Sequence, residues 1–409
     1  MGNFKTPIIQ ILIISFLIRI IISLLPAFEI DQNDWRLWGI RMAETGPSNF
    51  YSKDTFTDYT PGFLYFLWFA GIVKTTLLSS LPYNSLFYDL LLKLPANIAD
   101  LLTGLIIYKL LEKFGQKKAI LAFLLYVFNP AIFFNSAIWG QFDGISTLLI
   151  LLATYLLLHK KSPELSVGLI AFALATKPQA IFFVPAFGIL FLLKTKPQRW
   201  LSSGLIFITT YILIFLPFVS GNLQRIIQIN TGVGNVFNCT TCFAFNFWGI
   251  LGNWQADTLF FLSIPYYLLG IILTSISLAM VLFLKPFKLK YDNPYVYLTI
   301  SLSIISCCTF LTRMHERYIF PFFCFFLIAA FLLKSRKLIY FYILFSVISV
   351  INLYLPYGYY NWVYTNKLAV FNPPFVNQIM DNFKLLSGIF FASFIGLVLY
   401  SWKLMLKKS

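Results

Sequence analysis

Long apolar runs recur along the whole chain, near residues 8–25, 61–80, 86–110, 119–137, 143–158, 166–193, 201–219, 258–284, 295–311, 318–333, 338–355 and 385–402. Many approach the roughly 20 apolar residues that cross a bilayer as one helix. Only 11% of the 409 residues are charged, against about 25% in a soluble domain. No stretch between the runs is long and polar enough to form a separate soluble domain. The expected fold is an all-α polytopic membrane protein. Pro178 splits the 166–193 run on one reading, and Pro95 offers a similar break in 86–110, so the expected count is about 11–13 transmembrane helices. Two modules are expected, 1–220 and 221–409.

The formal net charge is +16. On a soluble protein this would suggest nucleic acid, but no nucleic-acid motif occurs. The positive charges sit in short segments between runs, at Lys194–Arg199, Lys285–Lys290, Lys334–Lys337 and Lys403–Lys408. The positive-inside rule accounts for them and marks these segments as cytoplasmic. The first run ends Leu24-Leu25-Pro26-Ala27-Phe28-Glu29 without an Ala-x-Ala pattern, which reads as a retained signal anchor rather than a cleaved peptide. Three longer polar stretches, 27–60, 220–257 and 356–384, then face the extracytoplasmic side. The middle of the chain is less regular: depending on Pro95, the side assigned to Glu112–Lys118 and to Trp139–Asp143 changes.

Cys239 and Cys242 form a C-x-x-C pair in a polar loop. A zinc site needs about four nitrogen or sulfur ligands, and both histidines, His159 and His315, are remote in sequence. Two free thiols are the expected state, with a loop disulfide as the alternative. Cys307, Cys308 and Cys324 lie in apolar runs and read as packing residues.

Several polar groups interrupt this apolar background. Arg313, His315, Glu316 and Arg317 sit between two apolar runs. An ionisable side chain at the bilayer centre costs roughly 2.5–3.5 kcal/mol on insertion scales, so the four lie at a membrane face or line a polar cavity. Arginine forks match phosphate oxygens, and histidine adds a donor or moves a proton. In the first polar stretch, Asp31, Asp34, Trp35 and Trp38 share one helical face. A carboxylate there can serve as a general base, and the indoles can stack on a sugar or anchor an interfacial helix. Asp58 and Tyr59 precede Pro61-Gly62, where Asp58 is a candidate N-cap. Asn135 to Gly144, with Gln141 and Asp143, is either a tight turn or a pocket wall. Lys177, followed by Pro178 and Gln179, meets an anion or snorkels.

The order of these motifs resembles the GT-C superfamily of integral-membrane glycosyltransferases. It is similar to bacterial and archaeal proteins related to GPI mannosyltransferase II and to dolichyl-phosphate-glucose-dependent glucosyltransferases. The resemblance runs through Asp31–Trp38, Gly46–Tyr51, Asp58–Pro61, Trp139–Asp143, Lys177–Gln179, Asn246–Gly249 and Met314–Tyr318. It implies a GT-C-like bundle with a helical first external loop, and transfer of a hexose, mannose or glucose, from a polyprenyl-phosphate sugar to an acceptor hydroxyl. The acceptor is a lipid, a glycan or a protein. An acid in the first loop acts as base. The glucosyltransferase pattern sets that acid five residues before an Arg and seven before a Trp, which fits Asp31, Arg36 and Trp38, with Asp34 in reserve. The family's His-Glu pair falls on His315-Glu316, so His315, Arg317 and Arg313 would hold the donor phosphate. Arg36, Trp38, Asp58, Tyr59, Gln141, Asp143, Lys177, Gln179, Asn246 and Glu316 would shape the site. The first loop reads Asp-x-x-Asp and not Asp-x-Asp, and neither a metal nor another cofactor is expected. The implied setting is the plasma membrane, with membrane lipids as surroundings and the site on the extracytoplasmic side.

Two other classes share part of this pattern. A transporter or flippase of an anionic or lipid-linked solute also carries intramembrane charge, but it usually shows paired interrupted helices in two halves. Pro178 has no matched partner. A lipid-linked scaffold without catalysis accounts for the aromatic content but not for an external acid together with a cation cluster.

Overall fold

The computed structural model describes residues 6–52, 55–282, 293–365 and 373–406. The basic segment Lys285–Lys290 and the last residues of Lys403–Lys408 lie outside the described residues. The elements in chain order are helices α1 (Thr6–Ile22), α2 (Glu29–Thr45), α3 (Pro61–Thr76), α4 (Leu86–Leu111), α5 (Gln116–Val127), α6 (Pro130–Phe133), α7 (Asp143–Tyr155), α8 (Pro163–Thr176), α9 (Val184–Lys194), α10 (Trp200–Val219) and α11 (Gln224–Gly234). Strands β1 (Thr241–Cys242), β2 (Phe260–Phe261) and β3 (Ile264–Pro265) follow, then α12 (Tyr266–Leu282), α13 (Pro294–Phe310), strand β4 (Met314–His315), α14 (Phe320–Leu332), α15 (Arg336–Thr365), α16 (Pro373–Asp381) and α17 (Phe383–Leu406).

The fold class is all-α and polytopic. Among the described residues, Leu86–Phe114, Asp143–Lys160, Pro197–Val219, Arg336–Val363 and Phe383–Leu406 are long and apolar enough to cross a membrane. Gln116–Val127 and Pro130–Trp139 together make a sixth, bent by 43°. Six further apolar helices are shorter. Each long run seen in sequence forms helix among the described residues, and two are divided, 119–137 between α5 and α6 and 166–193 at Pro178. Pro163 and Pro294 open helices at their first turn, where the missing N–H costs nothing. Pro178 ends α8 as expected, and a 3-10 turn, Pro178–Phe183, separates it from α9. Of the two readings open at Pro95, the unbroken one holds: it lies inside α4. One expectation is corrected: α15 runs through Pro356 to Thr365, so the polar stretch does not begin at 356.

The chain divides into two compact units: Met1–Ile106, Ile132–Ala180 and Thr195–Val236 form the first, and Ile107–Ala131, Ile181–Lys194 and Phe237–Ser409 the second. The segments 107–131 and 181–194 group with the C-terminal half.

In the first unit α1 is held to α4 by a buried ion pair, Arg19 Nη1 to Asp100 Oδ2 at 2.8 Å, with Asn97 Oδ1 at 3.2 Å. Helix α2 lies against α3 around Trp35, Trp38, Phe63, Leu64 and Leu67, all buried. Two glycines permit this approach. A Cβ on Gly71 would overlap the backbone of Gly39, and one on Gly39 would meet Leu67 O at 2.7 Å. Small residues let helices come this close.

In the second unit α13 and α14 are buried nearly end to end, as expected of helices apolar all round. Helix α15 ties to the α5 side through Tyr342 Oη donating to Leu125 O and Ser346 Oγ donating to Asn129 Oδ1 at 2.6 Å. Strand β1 pairs with β4 in parallel, Cys242 opposite His315. The loop ahead of it is closed by a disulfide between Cys239 and Cys242. The expectation of two free thiols is thereby corrected; the cysteines are three residues apart, and the loop turns them face to face. The other three cysteines are buried and free, as expected.

Substituting Gly71 by Val should force α2 and α3 apart. Overpacking of this kind costs about 1–3 kcal/mol, and a fall in the thermal midpoint of the detergent-purified protein would register it.

Candidate active site

In the first unit the expected motifs converge on Asp31. Helix α2 opens at Glu29, so Asp31 stands in its first turn, partly exposed. Its Oδ2 accepts hydrogen bonds from Trp139 Nε1 at 2.9 Å and Gln141 Nε2 at 2.5 Å. The entry of the chain into α2 is fixed from the same side: Phe28 N donates to Trp139 O, and the Phe28 and Trp139 rings lie 4.5 Å apart.

A π-helical turn, Phe134–Trp139, ends at Gly140, whose φ of +97° reverses the backbone. Glycine adopts this left-handed conformation without a Cβ penalty. A Cβ there would also meet Gln32 Oε1 at 3.0 Å and Lys93 Cγ at 3.3 Å. The reversal presents Gln141, Phe142 and Asp143 in succession. Gln141 Nε2 also donates to Tyr59 Oη at 3.2 Å, and its Oε1 accepts from Lys177 Nζ at 3.2 Å. Lys177 Nζ pairs with Asp143 Oδ1 at 2.6 Å, and Asp143 Oδ2 accepts from Asn135 Nδ2 at 3.1 Å. The ammonium also lies 4.8 Å from the Phe142 ring centroid. One connected network therefore runs from Asp31 through Gln141 and Lys177 to Asp143. Of the two readings for each motif, Asn135–Gly144 is both turn and polar wall, and Lys177 meets an anion, Asp143.

The remaining first-loop residues take other places. Trp35 and Trp38 are buried against Phe63 and Phe142 and against Phe50 and Tyr59 respectively. They therefore act as core indoles, neither a sugar platform nor an interfacial anchor, because the face they share turns onto α3. Arg36 is held by Asp89 through Nε and Nη2 at 2.6 and 2.8 Å, and by Glu29 at 2.7 Å. Thr60, not Asp58, precedes α3 at the N-cap position. Asp58 instead acts on Asp34. Burial, reinforced by the charges of Asp31 and Asp58, pushes the Asp34 carboxyl up to about 7. Gln179 sits in the turn after Lys177, and its buried Oε1 has no hydrogen-bond partner among the described residues.

The second unit carries the cation cluster. Arg317 Nη1 pairs with Glu316 Oε1 at 2.7 Å, and His315 Nδ1 lies 3.9 Å from Glu316 Oε2. His315 is flanked by the rings of Phe237 and Tyr318. Arg313 Nε donates to the buried Asp257 at 2.8 Å. Asn246 Oδ1 accepts from Gly249 N at 3.0 Å beside the short turn Trp248–Ile250.

No sequence motif marks Trp139 as a donor to Asp31, Asp89 and Glu29 as partners of Arg36, or Asp257 as partner of Arg313. The available signal was charge placement: Asp89 and Asp257 are acids beside apolar runs, where an unpartnered carboxylate is costly.

Residues 89–223 match the family model described as dolichyl-phosphate-mannose-protein mannosyltransferase. That stretch holds Trp139, Gln141, Asp143 and Lys177. The chain is also 31% identical over 114 residues to GPI mannosyltransferase 1 of Candida albicans, an overlap of 27% of this chain and 28% of that relative. The overlap thus spans little more than a quarter of the relative's length. Both matches are to proteins described as mannosyltransferases, and each covers only part of this chain.

The Asp34 shift has a measurable consequence. A carboxyl raised on folding binds its proton more tightly in the folded state, so its contribution is present below its unfolded value near 4 and is lost as pH rises through about 7. Wild-type protein should lose more thermal stability between pH 5 and pH 8 than Asp34→Asn, as read by unfolding in detergent at both values.

Proposed function

We propose that the protein is an inverting membrane mannosyltransferase that uses a polyprenyl-phosphate mannose donor at the extracytoplasmic face. The observation that carries this reading is the Asp31 carboxylate, held at one oxygen by Trp139 and Gln141. Both donors belong to the stretch matched by the mannosyltransferase family. A partly exposed acid held by donors at one oxygen suits a general base.

In the proposed reaction Asp31 takes the proton of the acceptor hydroxyl. The acceptor oxygen forms a bond to the anomeric carbon from the face opposite the leaving group. The bond from that carbon to the phosphate oxygen breaks, and polyprenyl phosphate departs with the electron pair. His315, Arg317 and Arg313 carry the chemistry that takes a phosphate, and within the second unit both arginines are paired with acids, Glu316 and Asp257 respectively. A glycan, lipid or protein hydroxyl serves as acceptor. Protein cations can offset leaving phosphate charge by preorganised electrostatics, and the reaction is proposed to need no divalent ion.

Removal of a general base typically costs on the order of 10²–10⁴ in rate. Asp31→Asn should therefore lose nearly all release of polyprenyl phosphate from radiolabelled polyprenyl-phosphate mannose in membranes containing the protein, with its thermal midpoint preserved. Turnover at the wild-type rate would remove Asp31 from this role. EDTA should leave the wild-type rate unchanged, and a loss restored by added Mg²⁺ or Mn²⁺ would overturn the metal-free reaction.

A further inference from the structure

Lys177 and Asp143 form an ion pair in the first unit with both side chains almost wholly buried. Such a pair often stabilises a fold no better than apolar residues of the same volume, because desolvation offsets the attraction. Stability alone is therefore a weak reason for its presence. The ammonium has a second contact, and this one leads to the reacting group. It donates to Gln141 Oε1.

An amide side chain has two ends that differ in sign, and its orientation is set by its neighbours. Lysine only donates, so Gln141 must turn its oxygen to Lys177 and its nitrogen away. The nitrogen then meets Asp31 Oδ2 and Tyr59 Oη. Turned the other way, the amide would set a carbonyl against the carboxylate and leave the ammonium facing an N–H₂ group. Trp139 Nε1 fills the second approach to the same oxygen. Asp31 Oδ1 accepts no hydrogen bond among the described residues. The polarity of one buried cation is thus passed through one amide to decide which carboxylate oxygen is tied down and which stays available.

We propose that Lys177 is a positioning residue for the transfer reaction: through Gln141 it fixes Asp31 so that Oδ1 is the oxygen that takes the acceptor proton. This rests on Asp31 being the base. Asp143 and Asn135 hold the ammonium in place, and Gly140 lets the backbone bring Gln141 to it.

A single loss of Lys177 would strand a buried carboxylate, so the test uses the double variant Lys177→Met/Asp143→Asn, which removes the pair without leaving a charge. A second variant, Gln141→Leu, removes the amide and leaves the pair intact. Full-length protein in membranes is assayed with radiolabelled polyprenyl-phosphate mannose. The expected result in both variants is a fall in kcat of roughly tenfold or more with donor KM within about twofold, and a preserved thermal midpoint in the double variant. A merely structural role would lower the amount of folded protein and leave the kcat per folded molecule alone. Wild-type kcat in either folded variant, with Asp31→Asn inactive, overturns the positioning role only. Wild-type turnover in Asp31→Asn overturns the base assignment and the positioning role together.

Discussion

Burying Lys177 and Asp143 together imposes conditions on everything around them. Two opposite charges cannot leave water cheaply unless their remaining donors and acceptors are used. Lys177 uses Asp143 and Gln141, with the Phe142 face alongside; Asp143 uses Lys177 and Asn135. Meeting these demands requires the π-turn, the left-handed Gly140 and the break after Thr176 that exposes Lys177 to them. The polar path then continues to Asp31, the partly exposed member. The irregular backbone is confined to places where it lines polar groups, as a membrane environment demands.

The same economy governs the other charges. Arg19 is matched by Asp100, Arg36 by Asp89 and Glu29, Arg313 by Asp257, and Arg317 by Glu316. A chain with a net charge of +16 thus spends many of its few acids on cations within its helices or at their ends. Asp34 in the first loop contrasts with this. Asp34 has its charge opposed by burial and by two neighbouring acids, an arrangement typical of functional sites.

Much of the architecture was legible in the sequence. Apolar runs indicated an all-α membrane fold, the punctuation at Pro178 was read correctly, and the helical first loop was expected. Among the residues read as site-shaping, Tyr59, Gln141, Asp143 and Lys177 do come together around Asp31. The errors are physical too. The polar stretch expected from 356 starts later, because α15 continues through Pro356 to Thr365. The indoles at 35 and 38, expected to stack on a sugar or anchor an interfacial helix, are claimed instead by aromatic packing against Phe63 and Phe142 and against Phe50 and Tyr59.

Sequence alone therefore determined the solvent this chain folds in and the residue types available for chemistry, because hydropathy and charge are properties of short segments. It could not decide which acid meets which cation, since Asp31 and Gln141 are 110 positions apart, and Lys177 and Asp143 are 34 apart. Nor could it tell that Cys239 and Cys242 close a loop, or that the Gln141 amide points its nitrogen at Asp31. Those facts depend on backbone reversals at single residues and on helices brought together, so only the tertiary structure settles them.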